Sequence, residues 1–417
     1  MDQPHLIPRL LRPLGNPTVA LLWGGLSLAS LGDQTFSVVL SWTGVAVLGE
    51  RAGYLAAVQA AGMLSVALLL GGWIEAVEHR RMMVIADVLR VVTLGSTAAL
   101  WFAAGGPVGW SLFIAAFLMM AAMALYRPAM QTVLPGIVRA AEDLPATNAL
   151  ADISDRLARM LGPALVGVAT LPLAGLVGLA ACGFVVSGCC NLLLARRGPR
   201  LPATAGRQGV LVALATGFRA LRPHPLLWFI MWANLAVNGG WFVAFYVALP
   251  LLVERAGVHI PGGAGGLAAY GLIMAAYGGA NLLATLWVGS LGIAALTPRL
   301  AFRGIGILGI GIIVMGIAGM TLAGAWLFPV LLAGAAVSAL GGPLQDVTTA
   351  TLRQLHLPRR DLGAAVRAYM VLNQTGSIAA MLAAPSIIAS LGVASTLALC
   401  GLTVLAVAIV GLLRFRA

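Results

Sequence analysis

Lysine is absent from this 417-residue chain; all 25 basic residues are arginine. Charge of either sign is scarce, at 9% of residues with only 13 acids, where soluble domains carry about 25%. So few charges cannot cover a water-exposed surface of this size, which excludes a soluble globular protein. The short alternating segments of a membrane barrel are missing as well. Cysteine is rare: Cys182, Cys189, Cys190 and Cys400 all fall inside apolar stretches and lack CxxC spacing. They read as reduced packing residues, not as metal ligands or a disulfide framework. No loop carries a nucleophile–base constellation, a phosphate-cradling glycine loop or a metal-ligand cluster. None of the histidines sits mid-span, with His79, His224 and His356 falling in cytoplasmic segments. An enzyme, a cofactor requirement and an ATP-driven pump are therefore not expected.

What remains is hydrophobic: 60% of residues, with a mean hydropathy of +0.98. Apolar runs long enough to cross a bilayer, which takes about 20 helical residues, recur along the chain. They place twelve spans at roughly 19–48, 53–75, 82–104, 109–130, 149–171, 174–195, 226–253, 266–291, 300–321, 325–345, 364–389 and 391–413. The expected fold is an all-α integral membrane protein. The net charge of +12 invites a nucleic-acid reading, but its distribution does not support one. On this placement every arginine except Arg51, Arg255 and Arg90 falls on one side, so the basic residues fix topology and put both termini in the cytoplasm. Arg9 and Arg12 precede a stretch too long for a signal h-region, so it is expected to stay as the first helix.

The chain repeats itself. Leu22-Trp23 opens the first span and Leu227-Trp228 the seventh; Glu50-Arg51-Ala52-Gly53 closes the first and Glu254-Arg255-Ala256-Gly257 the seventh. Pro128-Ala129-Met130-Gln131 and Asp143-Leu144, read as loop residues, are answered by Pro343-Leu344-Gln345 and Asp361-Leu362. The organisation expected is a six-helix half over 1–197, a linker over 198–225 and a second six-helix half over 226–417. Within the linker, Val210, Leu211, Leu214, Phe218 and Leu221 have near-helical spacing and predict a helix along the inner membrane surface.

One carboxylate breaks the apolar pattern. Asp33 lies near the middle of the first span, where an ionised side chain costs at least ~2.5 kcal/mol and usually marks a wet pathway. Ser30, Ser37 and Ser41 follow helical spacing around it, giving one polar stripe. Asp33 is either a site where protonation alternates with substrate binding or a hydrogen-bonded group that joins helices. The repeat sets Asn238 at or beside its position. Other polar and aromatic candidates for a cavity are Gln34, Gln59, Asn234, Trp241, Tyr270, Tyr277, Asn281, Asn373 and Gln374. Aromatics with a few hydrogen-bonding groups suit large amphipathic ligands, although each could equally pack helices.

A second polar group lies toward the cytoplasm. Glu75, Arg80 and Arg81 stand between the second and third spans, followed by Asp87 and Arg90, which can share a helix face. The fifth span adds Asp152, Asp155, Arg156 and Arg159. Together they read as an intracellular charge network, for structure or gating rather than substrate binding.

Several motifs resemble the major facilitator transporters. The two repeated halves match their parallel-repeat plan. The stretch from Gly71 through Glu75 and Arg80-Arg81 to Ile85-Ala86-Asp87-Val88-Leu89-Arg90 resembles their cytoplasmic signature, which implies a gate. Ala76 and Glu78 stand where that signature has arginine and glycine. Gly162-Pro163 with Gly167 resembles the antiporter signature of drug exporters. Leu22-Trp23-Gly24 with Leu31-Gly32-Asp33, the run from Leu144-Pro145-Ala146-Thr147-Asn148, and Gly217-Phe218-Arg219-Ala220-Leu221-Arg222-Pro223-His224-Pro225 resemble the macrolide-efflux and enterobactin-exporter branch of the drug:proton antiporters. That resemblance implies a monomeric, multi-pass protein of the bacterial inner membrane. It would export amphipathic small molecules such as drugs, macrolides or siderophores against proton entry, by alternating access. An importer of a siderophore or metal chelate and a lipid or lysolipid flippase are the other readings.

Overall fold

The computed structural model describes residues 11–69, 77–138, 143–197, 210–260, 265–291 and 295–415. Among these the chain is helical, with no strand. We number the helices α1 Pro17–Leu48, α2 Gly53–Leu69, α3 His79–Ala103, α4 Gly109–Ile137, α5 Leu144–Val168, α6 Leu173–Arg197, α7 Val210–Leu221, α8 Pro225–Val243, α9 Leu249–Arg255, α10 Gly266–Gly289, α11 Pro298–Thr321, α12 Leu327–His356, α13 Arg359–Leu391 and α14 Val393–Arg414. A π-helical turn, Ala244–Ala248, joins α8 to α9, so Pro225–Arg255 runs as one span.

Nine helical stretches among the described residues are long and apolar enough to cross a membrane. The other three expected spans coincide with α1, α2 and α5. In α1 the apolar run is diluted by Asp33 and Gln34, and in α5 by Asp152, Asp155, Arg156 and Arg159. The described part of α2 is 17 residues.

Two expected loops are helical. α4 continues through Pro128-Ala129-Met130-Gln131 to Ile137, and α12 through Pro343-Leu344-Gln345 to His356. Hydropathy marks where the apolar surface stops, but the hydrogen-bonded backbone continues past it wherever side chains find partners. Likewise α3 starts at His79 and carries Arg80 and Arg81, which had been expected between helices.

By contacts the chain divides into two units, Met1–Leu40 with Val58–Arg207 and Ser41–Ala57 with Gln208–Ala417. In the first, α3 packs on α4 and α6. α1 lies against α6 at paired glycines: a Cβ on Gly32 would sit 2.7 Å from the Ala180 carbonyl oxygen, and one on Gly183 2.5 Å from that of Leu28. Small residues let helices approach this closely, so dispersion contacts hold the pair where lipid supplies no hydrophobic drive. In the second unit, α11 packs on α12 and α14, α10 on α12, and α8 on α13. The linker helix α7 lies on α13, where a Cβ on Gly217 would be 2.2 Å from the Ala364 carbonyl oxygen. Gly392 (φ 82°) is the only residue between α13 and α14, and its left-handed backbone makes that turn possible.

Candidate functional site

Asp33 opens onto a cavity of about 250 Å³ in the first unit. Arg90 of α3, Tyr126, Arg127 and Gln131 of α4, and Asp152 and Asp155 of α5 share its wall. Gly162 sets the α1–α5 spacing beside it: a Cβ there would lie 2.6 Å from Cβ of Gln34 and 3.0 Å from the Thr35 nitrogen. Pro163 follows inside α5, buried, as is Gly167 one turn on. The antiporter-like residues therefore position α5 against the helix that carries Asp33.

A ladder of polar contacts joins these two helices. Trp23 Nε1 donates to the Leu150 carbonyl at 3.3 Å, Ser27 Oγ to Ser154 Oγ at 2.9 Å, and Ser30 Oγ to Asp155 Oδ1 at 2.5 Å. The other Asp155 oxygen lies 3.7 Å from Arg127 Nη2. Asp152 pairs with Arg156 at 3.0 Å, one helical turn away.

Behind the cavity sits a fully buried pair, Asp87 (0% exposed) and Arg90 (2%). Arg90 Nη1 is 3.4 Å from Asp87 Oδ1. Ser187 Oγ and Asn191 Nδ2, both from α6, donate to Asp87 Oδ2 at 2.8 and 2.7 Å. The guanidinium carbon lies over the rings of Tyr126 and Phe184, 4.9 and 5.0 Å from their centroids. Each such contact stabilises a desolvated cation by about 0.5–2 kcal/mol. These neighbours make a buried charge pair tolerable, since Coulomb attraction alone does not offset desolvation.

The charges around the cavity do not cancel. Arg90 is matched by Asp87, Arg127 by Asp155 and Arg156 by Asp152. Asp33 is left over: the fields of Arg90, Arg127 and Asp155 reach it, yet among the described residues no ion pair closes on it. A carboxylate so placed wants one positive charge from outside.

The remaining expected residues fall in several places. Glu75 lies outside the described residues. Arg80 is buried and donates to the Leu194 carbonyl at 3.4 Å, while Arg81 pairs with Glu78 at 3.3 Å. Arg159 is exposed, and neither Gln59, half-buried on α2, nor Ser37 of α1 lines the Asp33 cavity. The structure thus brings Asp33, Arg90, Asp152 and Asp155 to one cavity wall, so that residues expected to gate and the residue expected to couple share it. Arg127, Ser187 and Asn191 were not singled out in the sequence. Ser187 and Asn191 are four apart in an otherwise apolar helix, and that spacing was the available signal.

In the second unit the polar residues expected to line a cavity are neutral, while its charges lie elsewhere, as where Arg353 lies 4.3 Å from the centre of the Tyr369 ring. The Asn234 side-chain oxygen accepts from Gln345 Nε2, and Asn238 Nδ2 donates to the Asn234 carbonyl at 3.1 Å. Trp241 Nε1 donates to Tyr277 Oη at 3.0 Å, and Tyr270 Oη to the Phe245 carbonyl at 3.0 Å. That last acceptor belongs to the π-helical turn, a local departure from α geometry that often marks functional positions. Asn281 Nδ2 reaches the Ala339 carbonyl at 3.4 Å, and the Asn373 side-chain oxygen is buried without a partner among the described residues. Gln374 lies beside Asn373 on α13.

A search of curated protein sequences finds no match. Solved structures similar to the chain include an auto-inhibited peptide transporter of the POT family (13% identity, TM-score 0.71, covering 96% of this chain and 97% of that one). A bacterial homologue of the iron transporter ferroportin in its inward-facing state is 16% identical with a TM-score of 0.70, over 95% and 98%. The nucleoside transporter NupG is 12% identical with a TM-score of 0.72, over 95% and 100%. At these identities the likeness is one of fold. The sequence profile of the Major Facilitator Superfamily matches residues 22–313, well over half of the chain. The protein belongs to the Major Facilitator Superfamily.

Proposed function

We propose that this membrane transporter is a proton-coupled exporter of amphipathic small molecules, with Asp33 as the coupling carboxylate. The observation that carries the reading is the leftover charge: every other charged group on the cavity wall has an ion partner, and among the described residues Asp33 has none. A proton or a cationic group on a substrate can each supply the missing positive charge, but not both at once. Competition for one carboxylate, combined with alternating access, yields exchange of a proton for a substrate. On this reading the chain forms twelve spans in two six-helix halves with both termini cytoplasmic, in the inner membrane of a bacterium, within the macrolide-efflux and enterobactin-exporter branch.

The test is an efflux screen in a pump-deficient host against a mixed panel of drugs, macrolides and siderophores, with and without a proton uncoupler. Extrusion of panel members that stops on adding the uncoupler is the expected result. Uptake of a labelled metal chelate by intact cells would instead make the protein an importer. Lipid scrambling in vesicles without any panel substrate would make it a flippase.

A further inference from the structure

Arg90 is buried deeper than a gate residue needs to be, and it is held more loosely than a structural ion pair. Its guanidinium is 2% exposed and lines the cavity that Asp33 faces. The distance from Nη1 to Asp87 Oδ1 is 3.4 Å, longer than the ~2.7–2.9 Å of a close charge-assisted bond. Its Nε is buried without a hydrogen-bond partner among the described residues. Asp87, for its part, does not depend on Arg90 alone, because Ser187 and Asn191 both hold its second oxygen.

We propose that Arg90 is the internal counter-ion of Asp33, a positioning residue. Its guanidinium turns from Asp87 toward Asp33 when Asp33 is charged and the cavity holds no cation. It returns to Asp87 when a proton or a cationic ligand neutralises Asp33. The inference rests on the reading of Asp33 as the coupling carboxylate. Two rings make the movement feasible. The guanidinium carbon lies 4.9 and 5.0 Å from the centres of the Tyr126 and Phe184 rings, which stabilise the cation by attraction to their faces and not by fixed N–H bonds, so its N–H groups can change partner while the rings still hold the charge.

The other groups around Asp33 are less suited to this task. Arg90 shares the cavity wall with Asp33 and reaches it from α3. Arg127 of α4 is half exposed, with its charge screened by water, and is paired with Asp155. From α5, Asp155 is also held by Ser30 of α1, and Asp152 by Arg156. From α6, Ser187 and Asn191 bond Asp87, the Phe184 ring meets Arg90, and the Cys190 thiol lies within reach of the Asp87 charge, while the Tyr126 hydroxyl of α4 meets Asn191. The exchange moves the unmatched negative charge of the empty transporter from Asp33 to Asp87, whose second oxygen accepts from Ser187 and Asn191. A substrate or proton must therefore displace Arg90, which couples occupancy to a movement of α3 side chains.

The test uses purified full-length protein and N,N′-dicyclohexylcarbodiimide, which reacts with protonated carboxyl groups in apolar surroundings. Labelling of Asp33 is quantified by peptide mass at one near-neutral pH. Arg90→Gln removes the competing cation and is expected to raise labelling severalfold. Asp87→Asn releases the guanidinium to Asp33 and is expected to lower labelling severalfold, while Arg90→Lys stays between Arg90→Gln and the parent. General loosening of the bundle would raise labelling in both Arg90→Gln and Asp87→Asn, so opposite signs are the signature. Equal labelling in parent and Asp87→Asn, or a rise in both variants, overturns the proposal. Should Arg90→Gln fail to fold, Asp87→Asn and Arg90→Lys, which keep a cation in the slot, still decide. If Asp33 in the parent takes no label at any pH, the coupling reading itself fails, a result distinct from the failure of Arg90 alone.

Discussion

In the first unit Asp155 accepts from Ser30 and faces Arg127, whereas Asn373, its counterpart by the spacing of the Asp143-Leu144 and Asp361-Leu362 repeats, has no partner for its side-chain oxygen among the described residues. The same contrast recurs at Asp33, whose counterpart falls at or beside Asn238. Asn238 donates to a carbonyl of its own helix. Charged groups in a low-dielectric interior demand counter-charges, so each ion in the first unit fixes several neighbours. Amides demand far less, and a missed bond costs only about 1–3 kcal/mol. The first unit is therefore suited to an all-or-none event such as gaining a proton. The second is suited to exchanging weak partners, as a surface that accepts varied amphipathic molecules must.

Five substitutions would break or sharpen this contrast, beginning with the largest expected effect. Gly162→Leu pushes α5 off α1 beside Asp33, where even a Cβ would approach Gln34 to 2.6 Å. Overpacking of this kind costs about 3 kcal/mol and is read as a drop in thermal midpoint in detergent; an unchanged midpoint would refute the close helix contact. Asn191→Leu strips Asp87 of a charge-assisted donor and should destabilise by about 2 kcal/mol. Asn238→Leu, which loses only a bond to its own helix, should cost under about 1 kcal/mol. Equal effects in denaturant titrations of these two variants would erase the contrast between the units.

Smaller effects test the second unit alone. Tyr277→Phe removes the acceptor of Trp241 Nε1 and should cost about 1 kcal/mol, with the relative transport of aromatic substrates altered. The Glu50–Arg255 pair, 2.9 Å long, has side chains 30% and 46% exposed. Glu50→Gln should change stability by about 0.5 kcal/mol or less, and the difference should fade in high salt.

Much of this was legible in the sequence. Nine of the expected spans, among the described residues, follow from hydropathy, since lipid exposure forces apolar side chains, and Asp33 stood out as a carboxylate in an apolar run. Helix ends were not legible: α4 and α12 continue through Gln131 and Gln345 because backbone hydrogen bonding does not stop where hydropathy falls. Asp87 and Arg90 were visible as a pair on one helix, but their burial was not, because Ser187, Asn191, Tyr126 and Phe184 come from other helices. Arg127 falls near the end of its expected span, among the arginines read as fixing topology; only the packing of α4 on the cavity brings it to Asp155.

The most direct test of the account is proton release during exchange. Everted membrane vesicles carrying the parent protein are acidified inside, and proton movement is followed with a pH-sensitive dye on adding a compound that the efflux screen identifies. The account predicts substrate-evoked proton release in the parent and none in Asp33→Asn, with the variant still folded by size-exclusion profile and thermal midpoint. Proton release of parental size from Asp33→Asn would contradict it.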